Sequence, residues 1–344
     1  MLFVSHVRRF AGACLAVLLA GIMAPLWGQS KLPLMVRMGD VSINKIPFLV
    51  ALDQGLYEKH GLDLTMIPYS SDAATVHGIP DKIPPELRVK GDSAQITVGG
   101  GVGMMLNRIT ESEPSDWIVL ASTDHVVRWH LMTKEGTGIN TLEDLKGKRI
   151  GLSGMSACTG YIARMLAKRM GWDVEQDIAI MQGDYSVTPL KRGWVDAFIA
   201  YELPYALGMK EGFKVVADLR DWNEPMLCSG ARASRSWANA NRETVLRFLK
   251  AVTEGIAMMK KDRTLAFKSM ENWYGITDTE VQSVIYYGAR EMPRAPYPNV
   301  AGVKKVMELY DSNSMRRHQP EDFYDSSFIR ELEESGFIAS LYDE

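Results

Sequence analysis

Residues 37 to 64 constrain the fold of this chain more than any other stretch, because their pattern predicts a strand, a turn, a helix and a second strand. The turn, residues 41 to 45, is polar and lies where the first strand gives way to the helix. In open α/β sheets, ligands bind at that end of the strands. Pro47 favours the first helical turn, since its fixed φ and missing N–H cost nothing there. Phe48 and Leu52 follow at helical spacing.

The alternation of strands and helices occurs twice along the chain. Apolar strand-like runs alternate with helical stretches from Arg37 to about Val119, and a second cycle begins near Leu142. This alternation predicts parallel sheets covered by helices on both faces, and therefore two α/β lobes. After Arg232 the chain is mostly helical. One long helix there has an apolar stripe that we expect to face the core, formed by Val245, Phe248, Leu249, Val252, Ile256 and Met259.

The first 30 residues have the features of a secretory leader. Two arginines precede an apolar run, residues 11 to 24, and small residues follow it. A basic start, a short apolar middle and small exit residues are typical of a signal peptide, and the run is short for a membrane span. A retained N-terminal anchor, a twin-arginine signal and a lipid on Cys14 are the alternatives. We expect cleavage between Pro25 and Lys31, and a protein outside the cytoplasm.

Charge and cysteine content argue against two kinds of site. The formal net charge of the 344 residues is −3, and it becomes −5 without the leader, which holds two arginines and no acid. No block of Lys and Arg suggests a nucleic-acid surface. Beyond Cys14 the chain has Cys158 and Cys228, and neither has a Cys or His neighbour at metal-ligand spacing. We expect neither nucleic acid nor zinc, while the sequence positions leave open whether the two cysteines pair.

Four phrases of the sequence resemble one protein family in their order and spacing. They are GLYEKHGLDL from residue 55, TLEDLKGKRIGLSGMSA from residue 141, LKRGWVDAFIAYELPYA from residue 190 and SRSWANANRETVLRFLKAVTEGI from residue 234. The family is the nitrate/sulfonate/taurine type of substrate-binding protein of ABC importers, which has thiamine-precursor-binding relatives. The resemblance covers nearly the whole chain that follows the leader.

This resemblance implies a bilobal periplasmic-binding-protein fold of type II, with two parallel-rich sheets flanked by helices and joined by a two-crossing hinge. The implied parts are a signal peptide over residues 1–30, a first lobe over 31–122 plus 231–344, and a second lobe over 123–230, with crossings near 121–130 and 220–232. The implied function is capture of a small molecule in the periplasm and its delivery to an ABC permease in the inner membrane. The resemblance implies a monomer without a cofactor or catalytic residues.

Residues 153 to 160 form a turn rich in hydroxyls and glycines between a strand and a helix of the second lobe. Free backbone N–H groups and the helix dipole make such a turn a natural anion site. Another interpretation is that Ser156 only caps the helix. We favour ligand contact, with Ser153, Met155, Ser156 and Thr159 as candidate ligand-binding residues. The ligand's charge stays open, because no arginine accompanies the turn.

The first lobe has two stretches in the corresponding place, the turn after the first strand and a glycine run over residues 99 to 103. Ser42 and Asn44 of the turn and Gly101 of the run are candidate ligand-binding residues. Glycines let a ligand approach the backbone closely, although a simple tight turn also explains the run. The run does not match the dinucleotide fingerprint GxGxxG.

Three more candidates are expected to face the cleft. Tyr201 and Glu202 end a strand of the second lobe, where a tyrosine can stack on a ligand and a carboxylate can accept from an amine or a heterocycle N–H. An inward Glu202 argues against a simple small-anion pocket, whereas a solvated carboxylate at a helix start is the alternative. His125 lies where the chain enters the second lobe, and it either lines the cleft or serves packing.

Two other functions remain open at this point. A pyrimidine-synthase-like enzyme of the same fold acts inside cells and carries a cysteine-rich segment that this chain lacks. A ligand-sensing module of a signalling system has the same sequence features as an importer component. We see neither a Ser–His–Asp order nor paired carboxylates that indicate a hydrolytic site. The ligand stays open among a sulfonate, an aminopyrimidine and other small acids or heterocycles.

Overall fold

The computed structural model describes residues 31–39, 42–67, 94–110 and 115–342. The predicted leader and Val41 of the first turn lie outside these ranges. In the described ranges, none of the helices has the length and apolar character that a membrane crossing requires.

Ten strands form two five-stranded sheets in the described part of the chain. In chain order they are β1 Leu32–Met38, β2 Leu62–Ile67, β3 Ile96–Val98, β4 Trp117–Ser122, β5 His130–Thr133, β6 Arg149–Leu152, β7 Ala179–Gln182, β8 Ala197–Ala200, β9 Lys214–Asp218 and β10 Gly230–Ser234. The first sheet has the order β2-β1-β3-β10-β4, and the second has the order β7-β6-β8-β5-β9.

Both sheets are mixed. In the first sheet β1 runs parallel to β2 and β3, whereas β10 runs antiparallel to β3 and β4. In the second sheet β6 runs parallel to β7 and β8, whereas β5 runs antiparallel to β8 and β9. The predicted α/β fold with two helix-flanked sheets is confirmed, but each sheet has two parallel and two antiparallel strand pairings and is therefore mixed rather than parallel-rich.

Helices flank both sheets. The described α-helices are α1 Ile46–Asp53, α2 Leu56–Lys59, α3 Gly101–Thr110, α4 Cys158–Met170, α5 Thr188–Lys191, α6 Glu202–Lys210, α7 Arg235–Ala240, α8 Arg242–Lys261, α9 Arg263–Tyr274, α10 Thr279–Ala289, α11 Val300–Leu309, α12 Ser327–Glu334 and α13 Phe337–Ser340. Short 3-10 turns cover Ile43–Lys45, Glu143–Leu145, Leu219–Trp222, Met315–Arg317 and Pro320–Phe323. Pro47 lies in the first turn of α1, and Gly171 ends α4 in the left-handed region at φ 69°, as their sequence positions predict.

The apolar stripe predicted for α8 is buried along its whole length. Phe248 of this helix packs in the first core, where its ring stacks on Tyr57 of α2 with centroids 5.6 Å apart. Helix α11 contributes Val303 and Val306 to a second core, which includes Ile150 of β6 and Tyr161 of α4. The C-terminal helices therefore pack against both sheets' cores.

Two segments of chain connect the sheets, one between β4 and β5 and the other between β9 and β10. They pair with each other, since Val127 N–H donates to the Glu224 carbonyl at 2.9 Å and Thr123 N–H donates to the Ser229 carbonyl at 3.0 Å. The buried Asn299 amide ties both segments together by donating to the carbonyls of His125 at 2.8 Å and Met226 at 2.6 Å. The two-crossing connection therefore forms one hydrogen-bonded unit.

Candidate functional site

A cavity of about 340 Å³ lies between the two sheets, at the carboxyl ends of their strands. Residues that follow β1, β3, β6 and β8 line it, among them Gly39, Gly100, Ser153 and Tyr201. This is the edge at which open α/β sheets bind their ligands. The cavity thus has one wall from each sheet.

The first wall contains Ser42 and Asn44, and a buried lysine holds both in place. Lys45 is 0% exposed. Its ammonium donates to Ser42 Oγ at 2.7 Å, to Asn44 Oδ1 at 3.1 Å and to the Ser42 carbonyl at 3.4 Å. An ammonium can only donate hydrogen bonds, so the Asn44 atom that it contacts is the carbonyl oxygen Oδ1. The amide N–H₂ is the remaining donor of the Asn44 side chain. The buried ammonium of Lys45 therefore fixes Ser42 and Asn44 of the first wall.

Arg232 of β10 adds a second cation to this wall. Its guanidinium lines the cavity and donates to the Gly100 carbonyl at 2.8 Å. A guanidinium has five N–H donors and suits carboxylates, sulfonates and phosphates. The arginine that the second-lobe turn lacks in sequence is thus supplied to the same cavity by the other sheet.

The second wall is the turn between β6 and α4, and its hydroxyls bond to each other. Ser153 Oγ and Thr159 Oγ1 lie 2.8 Å apart, and Ser153 N–H donates to Thr159 Oγ1 at 3.1 Å. Ala157 is the N-cap of α4, without a capping side chain. Ser156 is exposed on the turn and lines the cavity. The interpretation of Ser156 as the cap of this helix therefore does not hold in the structure.

One glycine of this turn serves packing rather than ligand approach. A Cβ at Gly160 would lie 2.3 Å from the Met155 carbonyl oxygen, so the first turn of α4 needs glycine where the loop passes over it. Met155 itself is held by its backbone, because its N–H donates to Gln182 Oε1 at 2.9 Å and its carbonyl accepts from the Tyr310 hydroxyl at 2.7 Å.

Aromatic rings and a carboxylate form the inner end of the cavity. The Trp129 ring stacks on Tyr201 with centroids 5.1 Å apart and lies 6.2 Å from Tyr185. Burial raises the pKa of both tyrosines above the ordinary range, so they remain neutral hydroxyl donors. Glu202 is 8% exposed and accepts from Ile43 N–H of the first wall at 2.8 Å. It adopts φ 49°, a conformation unusual for a residue other than glycine.

A disulfide joins the second wall to a crossing segment. Cys158 at the start of α4 and Cys228 just before β10 are bonded, with Cα atoms 5.7 Å apart, and both line the cavity. The pairing that the sequence leaves open is therefore present.

The predicted site residues divide into two groups. Seven of the ten line the cavity: Ser42, Asn44, Ser153, Ser156, Thr159, Tyr201 and Glu202. Three lie outside its lining. The backbone of Met155 bonds to the side chains of Gln182 and Tyr310. Gly101 packs against Leu227 at the start of α3. His125 donates from Nε2 to the Tyr297 carbonyl at 3.0 Å. Burial lowers the pKa of His125, which favours this neutral structural state.

Sequence reasoning missed Arg232, Trp129, Tyr185 and Asn107 among the lining residues. Arg232 carries no local signal, because it reaches the cavity through the antiparallel pairing of β10 with β3. Among the described residues, no cluster of three His, Cys, Asp or Glu side chains is arranged to hold a metal ion.

Residues 118–265 match the family model described as NMT1/THI5 like. No curated protein sequence is significantly similar to the chain. Among solved structures, the fold is similar to a putative sulfonate ABC transporter's periplasmic sulfonate-binding protein SsuA from Methylobacillus flagellatus KT. The identity is 16%, the TM-score is 0.65, and the match covers 89% of this chain and 95% of that one.

Two further structures show how widely this fold is used. The periplasmic nitrate-binding protein NrtA from Synechocystis PCC 6803 is 11% identical with a TM-score of 0.66, covering 92% of this chain and 91% of that one. The desulfurization enzyme DSZB is 14% identical with a TM-score of 0.63, covering 89% of this chain and 99% of that one. The resemblance predicted from the sequence is thereby confirmed: the chain matches the NMT1/THI5-like family over residues 118–265 and has the fold of the sulfonate- and nitrate-binding proteins.

Proposed function

We propose that this protein is an extracytoplasmic solute-binding protein that captures a small organic molecule between its two sheets and presents it to an ABC permease. The observation that carries the proposal is the cavity of about 340 Å³, which receives polar side chains from both walls. A ligand that contacts both walls stabilises the closed arrangement by its differential affinity for that state. The proposal agrees with the structural similarity to SsuA, a sulfonate-binding protein, and to NrtA, a nitrate-binding protein.

The chemistry of the cavity favours a small organic acid with a planar or apolar body. Arg232 and the hydroxyls of the second wall are donors for a sulfonate or carboxylate. Trp129 and Tyr201 give the inner end an aromatic surface for the body of the molecule. Glu202 disfavours an inorganic anion that would fill the inner end, because its carboxylate lines the cavity there. A heterocycle with an N–H group is the second ligand class that this end accommodates.

The disulfide supports a location outside the cytoplasm. Disulfides persist in oxidising compartments such as the bacterial periplasm and are rare in the cytosol. Cys158 and Cys228 are bonded in the wall of the cavity. Together with the predicted leader over residues 1–30, this favours the periplasm as the place of action.

We further propose that the lobes are residues 31–122 plus 231–344 and residues 123–230, and that they move about the paired crossings. Closure of two lobes on a ligand is a hinge motion of known type. Small-angle X-ray scattering with and without a saturating ligand should show a smaller radius of gyration in the bound state. An unchanged profile despite tight binding would contradict the hinge.

An enzymatic function is the alternative to solute binding, because the desulfurization enzyme DSZB has this fold. The contact that most resembles a nucleophile and its base is Ser42 Oγ to Lys45 Nζ at 2.7 Å. Lys45 also donates to Asn44 Oδ1 and to the Ser42 carbonyl, which is how a charged ammonium holds a loop. A general base has to be neutral before it takes a proton. We therefore propose that Lys45 positions the loop, and that the protein binds its ligand without converting it.

The proposal is tested by titration calorimetry with benzenesulfonate, taurine, nitrate and an aminopyrimidine. Binding of one of the organic probes at one molecule per chain, with no change in the recovered probe, supports solute capture. Tight binding of nitrate alone would contradict the organic ligand. Chemical conversion of a probe would instead support the enzyme.

A further inference from the structure

A second cavity, of about 360 Å³, lies on the other side of Tyr201 and Glu202 from the ligand cavity. These two residues line both cavities and form the wall between them. The remaining lining comes from Arg128 of the segment between β4 and β5, from β5, α6 and the 3-10 turn Leu219–Trp222 on the second-sheet side, and from α10 on the other. An occupant would therefore contact α6 and α10 at the same time.

Aromatic surfaces dominate this second cavity. The His130 ring lies flat on Tyr205, with centroids 3.7 Å apart and planes at 7°. Tyr201 closes the inner end, and Tyr287 of α10 is 50% exposed at the mouth. Side chains of this kind present flat faces and edges on which a planar ring packs well.

Two arginines give the cavity a positive side, and they differ in their partners. Arg220 is paired with Asp218. Arg128 donates to the carbonyls of Gly288 at 3.3 Å and Glu291 at 3.0 Å. Within the described ranges of the chain, Arg128 has no carboxylate at ion-pair distance. Arg128 is therefore a cation at the cavity without a salt-bridge partner in those ranges, and the buried carboxylate of Asp124 interacts with it only at longer range.

Glu202 does not pair with Arg128 either, because its Oε2 is directed to Ile43 N–H at 2.8 Å. His130 lines the same cavity. Its ring is 6% exposed, and its Nδ1 is buried with no hydrogen-bond partner in the described structure. Burial lowers the pKa of His130 to about 4, so the ring is neutral at pH 7 and can both donate and accept.

We propose that this second cavity is a separate binding site for a small planar aromatic carboxylate. The ring packs on Tyr205 and Tyr287, and the carboxylate pairs with Arg128. This site does not depend on the ligand proposed for the first cavity. Because its occupant contacts α6 and α10 together, it favours the arrangement in which these helices are close.

The test uses benzoate as the probe and benzyl alcohol as its neutral counterpart, each titrated into the full protein by calorimetry. Val284 is 36% exposed and lines the mouth, so Val284→Trp fills the second cavity from the solvent side. Met209→Trp is the matched control, since Met209 is exposed on α6 but lines neither cavity. Asn107→Trp obstructs the first cavity instead, because Asn107 is exposed and lines that one.

The benzoate affinity of the second cavity is expected to be alike in wild type, Met209→Trp and Asn107→Trp, and at least tenfold weaker in Val284→Trp. Arg128→Gln is expected to weaken benzoate at least tenfold while leaving the much weaker benzyl alcohol unchanged. Should Val284→Trp fail to fold by circular dichroism, Ser283→Trp fills the same mouth from a neighbouring exposed position. Absence of benzoate binding, or loss of it in Asn107→Trp rather than Val284→Trp, would overturn the second site. Loss in Asn107→Trp would place benzoate in the first cavity and would support solute capture there. Absence of benzoate binding leaves solute capture to the organic-probe titration.

Discussion

The two walls of the ligand cavity are built on the same plan but stabilised differently. Both follow a strand of a mixed sheet and precede a helical turn. The first wall is held from behind by the buried ammonium of Lys45 and carries the guanidinium of Arg232. The turn of the second wall, residues 153 to 160, has no charged side chain; its hydroxyls bond each other and a disulfide ties its helix to a crossing segment. The two cations thus belong to the first wall and the hydroxyls to the second, while the aromatic rings lie with the Glu202 carboxylate at the inner end.

This difference shows that a turn rich in N–H and hydroxyl groups can form part of an anion site without a charged residue of its own. The helix N-terminus of α4 offers partial positive charge, and the full charge comes from a strand of the opposite sheet. A ligand with an acidic end and an apolar body would then contact both walls, which is the condition for closure on binding. Four variants break or sharpen this comparison.

Removal of the disulfide should have the largest effect, and it acts on the second wall. The two cysteines are separated by 70 residues. The chain-entropy account of a loop this long gives about 4 kcal/mol of stabilisation. The double variant Cys158→Ala/Cys228→Ala should lose about that much free energy of unfolding in urea, and reductant should shift the wild type in the same direction. Identical unfolding curves with and without reductant would show that the bond does not form.

Lys45→Met removes the charge behind the first wall. Its ammonium bonds to three oxygens and is fully buried. Buried acceptors left without donors typically cost about 1–3 kcal/mol, and we expect a loss in this range in the free energy of unfolding. Lys304→Met is the matched control, because Lys304 is an exposed residue of α11. Equal stability of the two variants would mean that Lys45 does not hold the first wall.

Arg232→Gln tests the charge that faces the ligand. A hydrogen bond to a charged group is worth about 1.5–3 kcal/mol, so affinity for an acidic ligand should fall roughly ten- to a hundredfold. Arg316→Gln, at an exposed arginine paired with Asp311, should leave affinity unchanged. A neutral ligand should lose much less than an acid. Equal losses for both would assign Arg232 to packing of the Gly100 loop rather than to recognition.

Ser156→Ala tests the second wall and should have the smallest effect. Loss of one neutral hydrogen bond weakens binding by about 0.5–1.5 kcal/mol. Because Ser156 is exposed and Ala157 is the N-cap, the melting temperature of the unliganded protein should not change. Tyr201→Phe is a companion control, because its hydroxyl lies beside Gly288 of α10, on the side of the second cavity. Wild-type affinity in Ser156→Ala would mean that the Ser156 hydroxyl does not bind the ligand.

The sequence predicts the fold well, because its signals are local. Strand runs, the Gly171 stop and the apolar stripe of α8 each follow from spacing along the chain. The strand-end turns with Ser42, Asn44, Ser153 and Ser156 are found for the same reason.

The parts that escape prediction depend on tertiary pairing. Arg232 reaches the cavity because β10 inserts between β3 and β4, and the 70-residue separation of the cysteines hides their contact. His125 was placed in the cleft by its position in a crossing segment, yet the paired crossings turn its ring toward Tyr297. Spacing along one strand does not encode which neighbour a crossing will meet.

The central claim is that both walls hold one small organic molecule, and native mass spectrometry of protein purified without refolding tests it most directly. We predict a mass excess that corresponds to one small acid per chain, lost in Arg232→Gln and reduced in Ser156→Ala. The same excess should remain in Arg316→Gln. Bare chain in the wild type after growth with the organic probe that calorimetry identifies, or an adduct that persists unchanged in Arg232→Gln and Ser156→Ala, would contradict the account.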